Sequence, residues 1–253
     1  MSELIRTGSV LPAHREALTL ITADGLRLVA ELSRPLHREP VATIICVHPL
    51  PTHGGMMDSH VLRKAAWRLP AQADIAVLRF NTRGTTSASG TSEGEYDRST
   101  AEGLDLQSAI AYAQQHHLVH PWLLGWSFGT DVILRHASDA AVAGVILLSP
   151  PLRFTTPTEL SRWRSVDTPV TALVPEFDDY LPPTAAVAAF AGLPAVEIVG
   201  IPGAKHLWVG ERYVQRVLNE IVSRVNPVAA PLATEWTQAD VIAQGPMQMW
   251  SDL

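Results

Sequence analysis

The sequence predicts an α/β protein built on a mostly parallel, doubly wound sheet that opens with an antiparallel hairpin. Three observations carry this. Residues 17–22 (ALTLIT) and 26–32 (LRLVAEL) alternate around Asp24-Gly25, which is a hairpin signal. From residue 41 onward the alternation gives way to nearly unbroken apolar runs, which suit strands buried on both faces. Helix-like stretches separate these runs, so successive parallel strands are joined by right-handed crossovers.

In chain order, the apolar runs place strands at 41–47, 75–80, 122–126 and 142–148, with two shorter ones at 170–174 and 196–199. Helices are expected at 59–68, 100–116, 128–137, 184–191 and 208–225. Ser99 or Thr100 would cap the second of these, with Glu102 in its first turn. The segment 226–253 carries three prolines and two tryptophans without periodicity. It reads as an appendage to a body over residues 1–225, packed on that body or on the neighbouring subunit of a homodimer.

Composition narrows the function. Of 253 residues, 47% are apolar and 17% charged, enough for a sizeable core. The net charge is −6 and the basic residues are scattered, so neither nucleic acid nor an anionic membrane is an expected partner. No apolar run approaches the roughly 20 residues of a membrane span. The first twenty residues show no basic start followed by an apolar stretch, so no signal peptide is expected and a cytoplasmic protein is. The one cysteine, Cys46, sits inside an apolar run, which leaves no disulfide within the chain.

The most informative stretch is Gly125-Trp126-Ser127-Phe128-Gly129. An apolar run precedes it and a helix-like stretch, FGTDVILRHA, follows. A sharp strand-to-helix turn holds its central residue in a strained conformation, and glycines two before and two after relieve the crowding. Ser127 would then stand at the carboxyl edge of the parallel sheet, where ligands bind. The following helix start would aim the N–H of Phe128 at a developing oxyanion.

A serine hydroxyl is a weak nucleophile and needs a base, itself oriented by a carboxylate. If both follow the serine in the chain, His136 and His206 are the remaining histidines. His136 lies nine residues along the helix, about 13 Å away at 1.5 Å per residue. His206, in the loop IPGAKHLW, falls at the correct edge. The carboxylate is Asp178 or Asp179, in the loop after the strand at 170–174. His48, His53, His60 and Asp58 show no i, i+4 helical pair, so no metal and no cofactor are expected. Arg83 is expected to pin its loop through Glu93 or Asp97.

GWSFG, the acidic loop EFDDYLPP and the late GAKHLW resemble the α/β-hydrolase superfamily, whose order is Ser, Asp, His. HPLPTHGG and RFNTRG add a narrower resemblance to small bacterial dienelactone-hydrolase-like enzymes, over roughly residues 17–225. The resemblance implies Ser127 as nucleophile, Asp178 as acid and His206 as base. It favours Asp178 over Asp179 because the family's acid follows a glycine by three residues, a position held here by Pro175. It also implies a second oxyanion donor in the loop His48-Pro49-Leu50-Pro51, where Leu50 has the only N–H between two prolines. His48 is then a supporting hydrogen-bonding residue.

The segment 150–168 is too short for a large cap domain, so at most one short helix and an open site are expected. Trp126, Leu152 and Tyr180 are the candidate substrate-binding residues, with Leu50, Phe128, Phe154, Trp163, and Trp236 or Trp250 as further apolar lining. The implied activity is hydrolysis of a small-molecule carboxylic ester or thioester through an acyl-enzyme. A lactone or carbon–carbon bond hydrolase, an acyltransferase and a non-catalytic binding protein are the alternatives.

Overall fold

The unbroken apolar runs form strands whose two faces are both covered: every residue of Ala42–Val47 and of Ile75–Phe80 is buried. The computed structural model describes residues 2–237. Its central sheet has eight strands, in chain order β1 (His14–Ile21), β2 (Arg27–Arg34), β3 (Ala42–Val47), β4 (Ile75–Phe80), β5 (Pro121–Trp126), β6 (Gly144–Leu148), β7 (Val170–Phe177) and β8 (Val196–Lys205). Their spatial order is β8-β7-β6-β5-β3-β4-β2-β1. Strand β2 runs antiparallel to both of its neighbours, and all other pairings are parallel. The mostly parallel sheet with an antiparallel amino-terminal hairpin is the architecture the sequence predicts.

Among the described residues six helices accompany the sheet: α1 (His60–Ala73), α2 (Glu102–Gln115), α3 (Phe128–His136), α4 (Pro157–Ser161), α5 (Pro183–Ala189) and α6 (Glu211–Val225). Alternate residues of β3 and β4 feed two separate cores. Ile44, Cys46 and Val77 pack with Leu62 of α1 and Val217 of α6. Ile45, Val47 and Leu78 pack with Leu106 of α2, Val132 of α3 and Ala186 of α5. The period-2 alternation of strand side chains is thus what distributes the helices over both faces.

Several boundaries differ from the sequence reading for physical reasons. Strand β1 begins at His14 because the ladder to β2 continues to Arg34, although β1 is mostly exposed at the sheet edge and carries little apolar pattern. Helix α1 continues through Pro70 to Ala73. Proline has no N–H for the carbonyl four residues back; here the Arg15 Nη2 reaches Ala66 O at 3.4 Å. Neither Ser99 nor Thr100 caps α2. Its flanking residue is Ala101, and Glu102 Oε1 instead accepts the N–H of Asp97.

Between β6 and β7 lie only α4 and a 3-10 turn at Arg162–Ser165, so there is no large cap. Trp163, expected at the site, is sealed in the core and donates its Nε1–H to Leu134 O at 2.8 Å. A large aromatic with one polar atom finds both its apolar surroundings and its acceptor there. After α6, residues 226–237 stay on the body. Leu232 is buried against the α1–α6 layer, and Glu235–Thr237 pairs antiparallel with Ser2–Leu4. Trp236 packs against Ile5, Leu11 and Ala71 and is not among the cavity-lining residues; Trp250 lies outside the described residues. Among the described residues no helix is long and apolar enough to cross a membrane.

Candidate active site

Ser127 occupies the turn between β5 and α3 with φ +50° and ψ −115°, a conformation that side-chain-bearing residues rarely adopt. The surrounding close packing explains the glycines. A Cβ on Gly129 would lie 2.1 Å from Val47 O, and one on Gly125 would lie 2.7 Å from Gly129 O. The turn is further tied by Ser127 N–H to Leu148 O at 2.9 Å and by Thr130, whose N–H and hydroxyl both donate to Ser127 O. The strain is therefore fixed by the body of the fold rather than by the loop itself.

Two other strand ends complete the group. Strand β7 ends with a register shift between Pro175 and Phe177, and Asp178 follows. Strand β8 ends at Lys205, directly before His206. Ser127 Oγ stands 2.8 Å from His206 Nε2. His206 Nδ1 stands 2.9 Å from Asp178 Oδ2 and 3.1 Å from Oδ1. Burial pushes the Asp178 carboxyl up, but the hydrogen bonds from His206 and from the N–H groups of Tyr180 and Leu181 outweigh it and hold the group below its ordinary value. The backbone of His206 is fixed as well: its carbonyl accepts from Trp126 Nε1 at 3.3 Å and from Ser149 Oγ at 3.1 Å.

The loop after β3 supplies Leu50. His48 is buried, and its Nε2 accepts the N–H of Thr82 at 3.0 Å. The ring proton is therefore assigned to Nδ1, which donates to Pro49 O at 2.7 Å. Burial lowers the His48 pKa to about 4 despite that hydrogen bond, so the ring is neutral. In a trans peptide the C=O and N–H point in opposite directions. With Pro49 O turned toward His48, the N–H of Leu50 leaves on the side away from His48. Leu50 lines the same cavity as Ser127 and His206. The N–H of Phe128, first in α3, has no intrahelical acceptor because helix starts leave such donors unpaired.

That cavity has a volume of about 640 Å³. Leu50, Ser127, Phe128, Phe154, Tyr180 and His206 line it. Trp126 also touches it but is only 2% exposed, so it serves chiefly as core and as support for His206. Leu152 is not among the residues lining the cavity; it is partly buried against the hydrophobic core. Asp179 lies at the cavity while Asp178 takes the histidine. Arg83 pairs with Asp105 and Asp24 instead of Glu93 or Asp97, because α2 brings Asp105 beneath the loop. Glu93 accepts the N–H of Arg27. A further lining residue is Asp131, whose spacing of four from Ser127 is visible in the sequence. Among the described residues no group of three or more His, Cys, Asp or Glu side chains is arranged to hold a metal ion.

No protein-family model and no curated relative matches the sequence. Solved structures do. An α/β serine hydrolase homologue of Coxiella burnetii is similar at 26% identity and a TM-score of 0.70, covering 82% of this chain and 95% of its own. An α/β serine hydrolase of Xanthomonas campestris, described as lacking a lid, is similar at 27% identity and a TM-score of 0.71, covering 87% of this chain and 97% of its own. An esterase of Pyrococcus furiosus shares the fold at 18% identity and a TM-score of 0.66, covering 84% of this chain and 93% of its own. The chain is a member of the α/β-hydrolase superfamily.

Proposed function

We propose that the protein is a serine hydrolase that cleaves carboxylic ester or thioester bonds of small molecules through an acyl-enzyme on Ser127. The observation that carries this reading is the continuous line from Ser127 Oγ to His206 Nε2 at 2.8 Å and from His206 Nδ1 to Asp178 Oδ2 at 2.9 Å. Ser127 Oγ attacks the carbonyl carbon while His206 Nε2 takes its proton. Asp178, held ionised, fixes the imidazole with its Nδ1–H toward the carboxylate and stabilises the imidazolium. The N–H groups of Leu50 and Phe128 receive the oxyanion. His206 then returns the proton to the departing alcohol or thiol. Water, activated in the same way, cleaves the acyl-enzyme. The apolar wall suits an acyl or alcohol portion with substantial apolar surface.

Pre-steady-state hydrolysis of p-nitrophenyl and acyl-thioester substrates tests the reading. Wild type is expected to release a burst of the first product equal to the enzyme concentration, wherever deacylation is the slower step, and Ser127→Ala to lose both burst and turnover. Turnover retained in Ser127→Ala would refute it.

A further inference from the structure

The side chains beside the His206 imidazole form a rim that the reaction above leaves without a task. Tyr180, Leu207 and Val209 all line the cavity, yet they are 57%, 55% and 70% exposed. The aromatic side chains deeper in the same cavity are closed by contrast: Trp126 is 2% exposed and Phe128 1%. The most open apolar side chains of the lining are therefore those next to His206. Leu207 follows His206 directly, and the Tyr180 ring lies 4.6 Å from the imidazole between centroids. The Tyr180 N–H also donates to Asp178 Oδ1 at 2.9 Å, so the loop that holds the base carries part of the rim.

The fold holds these side chains outward. Trp208, between Leu207 and Val209, is sealed in the core at φ +53°, a conformation that residues with a Cβ rarely adopt. Its N–H donates to Lys205 O at 2.9 Å, and its carbonyl accepts from His60 Nε2 at 3.3 Å. Large apolar side chains kept in water beside a reactive centre point to an apolar ligand. The chemistry says which part of a substrate arrives there. His206 Nε2 gives its proton to the leaving alcohol, so that alcohol lies against the imidazole and the side chains that flank it. Asp179, next to Tyr180 in the chain, also lines the cavity, which makes the charge beside this rim negative. An anionic alcohol or thiol is disfavoured there, and a neutral one is not. An alcohol that leaves through this place also enters through it, because deacylation is acylation run backwards with a second nucleophile.

We propose that Tyr180, Leu207 and Val209 form a subsite for neutral apolar alcohols, and that such an alcohol resolves the Ser127 acyl-enzyme in competition with water. The alcohol oxygen bonds to the acyl carbon, Ser127 Oγ leaves it, and the alcohol's proton passes through His206 Nε2 to Ser127 Oγ. This rests on Ser127 being the nucleophile. In the test, enzyme turning over p-nitrophenyl butanoate is offered 1-heptanol, diethylene glycol monomethyl ether or 7-hydroxyheptanoate at equal concentration. The three acceptors have carbon or ether chains of similar length and differ in polarity and charge. Wild type is expected to form more ester per butanoic acid with 1-heptanol than with either other acceptor, by at least about tenfold. In the Leu207→Ser, Val209→Ser double variant that preference should fall by at least about threefold. All acceptors meet the same acyl-enzyme, so slower acylation in the variant cancels from the comparison. No ester from 1-heptanol, equal partition among the three in wild type, or an unchanged preference in the double variant would overturn the proposal. The wild-type comparison decides the matter alone if the variant does not fold. Peptide mapping of acid-quenched samples separates the two readings: butanoyl-Ser127 without the preference sinks this proposal alone, and turnover without butanoyl-Ser127 removes the reading beneath it.

Discussion

Asp178 and Asp179 are adjacent and chemically identical, yet the fold separates them. The Asp178 side chain is 1% exposed and bonded to His206, while Asp179 sits at the cavity edge. Asp178→Asn is therefore expected to lower kcat by about 10⁴, as when the orienting carboxylate of such a group is neutralised. Asp179→Asn should change it only within about threefold; ester-hydrolysis rates of the two purified variants check this. His48 makes a separate prediction about pH. Its folded pKa of about 4 lies below the ordinary 6.5. As pH falls, the unfolded chain takes up the proton first. The stability that the neutral ring contributes is thus complete above pH 6.5 and lost as pH falls toward about 4. It amounts to roughly 3 kcal/mol. Urea unfolding across this range should show wild type losing about that much more stability than His48→Asn.

At the scale of elements, the strand-end loops bring the reactive groups together. The loop after β3 allows a clean test of the proposed oxyanion role of the Leu50 N–H. Leu50 has φ −55°, within the range proline requires, and Pro51 already follows it. Leu50→Pro removes the N–H with little change of path. It is expected to cost about 10²–10³ in kcat while leaving the thermal midpoint within a few degrees. How much of this was legible in the sequence depended on the physics of each element. The four long parallel strands were legible because burial on both faces leaves an uninterrupted apolar run. The sharp turn at Ser127 was legible because Gly125 and Gly129 have almost no alternative at that close approach. The edge strand β1, mostly exposed, had little pattern to read. The Arg15 side chain that reaches the carbonyl left open by Pro70 is 51 residues from Ala66 in the chain, so the sequence around Pro70 does not show it. Residues alone left Asp178 and Asp179 open, and the partners of Arg83, Asp24 in the hairpin turn and Asp105 on α2, sit in elements the sequence placed but whose packing against the 81–84 loop it did not reveal. Leu152 and Trp163 looked like wall residues because apolar character does not say which side of a loop a residue faces.

For the whole molecule, α1, α6 and the amino-terminal segment are joined by one charged cluster. Lys64 and Arg68, buried on α1, both pair with Glu211 at the start of α6, and Arg68 also donates to Arg6 O. Burial pushes the Glu211 carboxyl up, but the two cations outweigh it and hold it low. Glu211→Gln would leave two buried cations short of a counter-charge. It should destabilise the fold by about 3 kcal/mol, read from the denaturation midpoint, with the reaction on esters persisting below the transition because Glu211 lies outside the cavity wall. The two-sided cover of helices gives the sheet its rigid carboxyl edge, and residues 127, 178 and 206 meet there from three separate strand ends.

The most direct measurement of that convergence is peptide mapping after treatment with a fluorophosphonate. The account predicts a single phosphonylated residue, Ser127, with labelling slowed by orders of magnitude in His206→Ala. A modification elsewhere, or equal labelling of Ser127 with and without the imidazole, would contradict it.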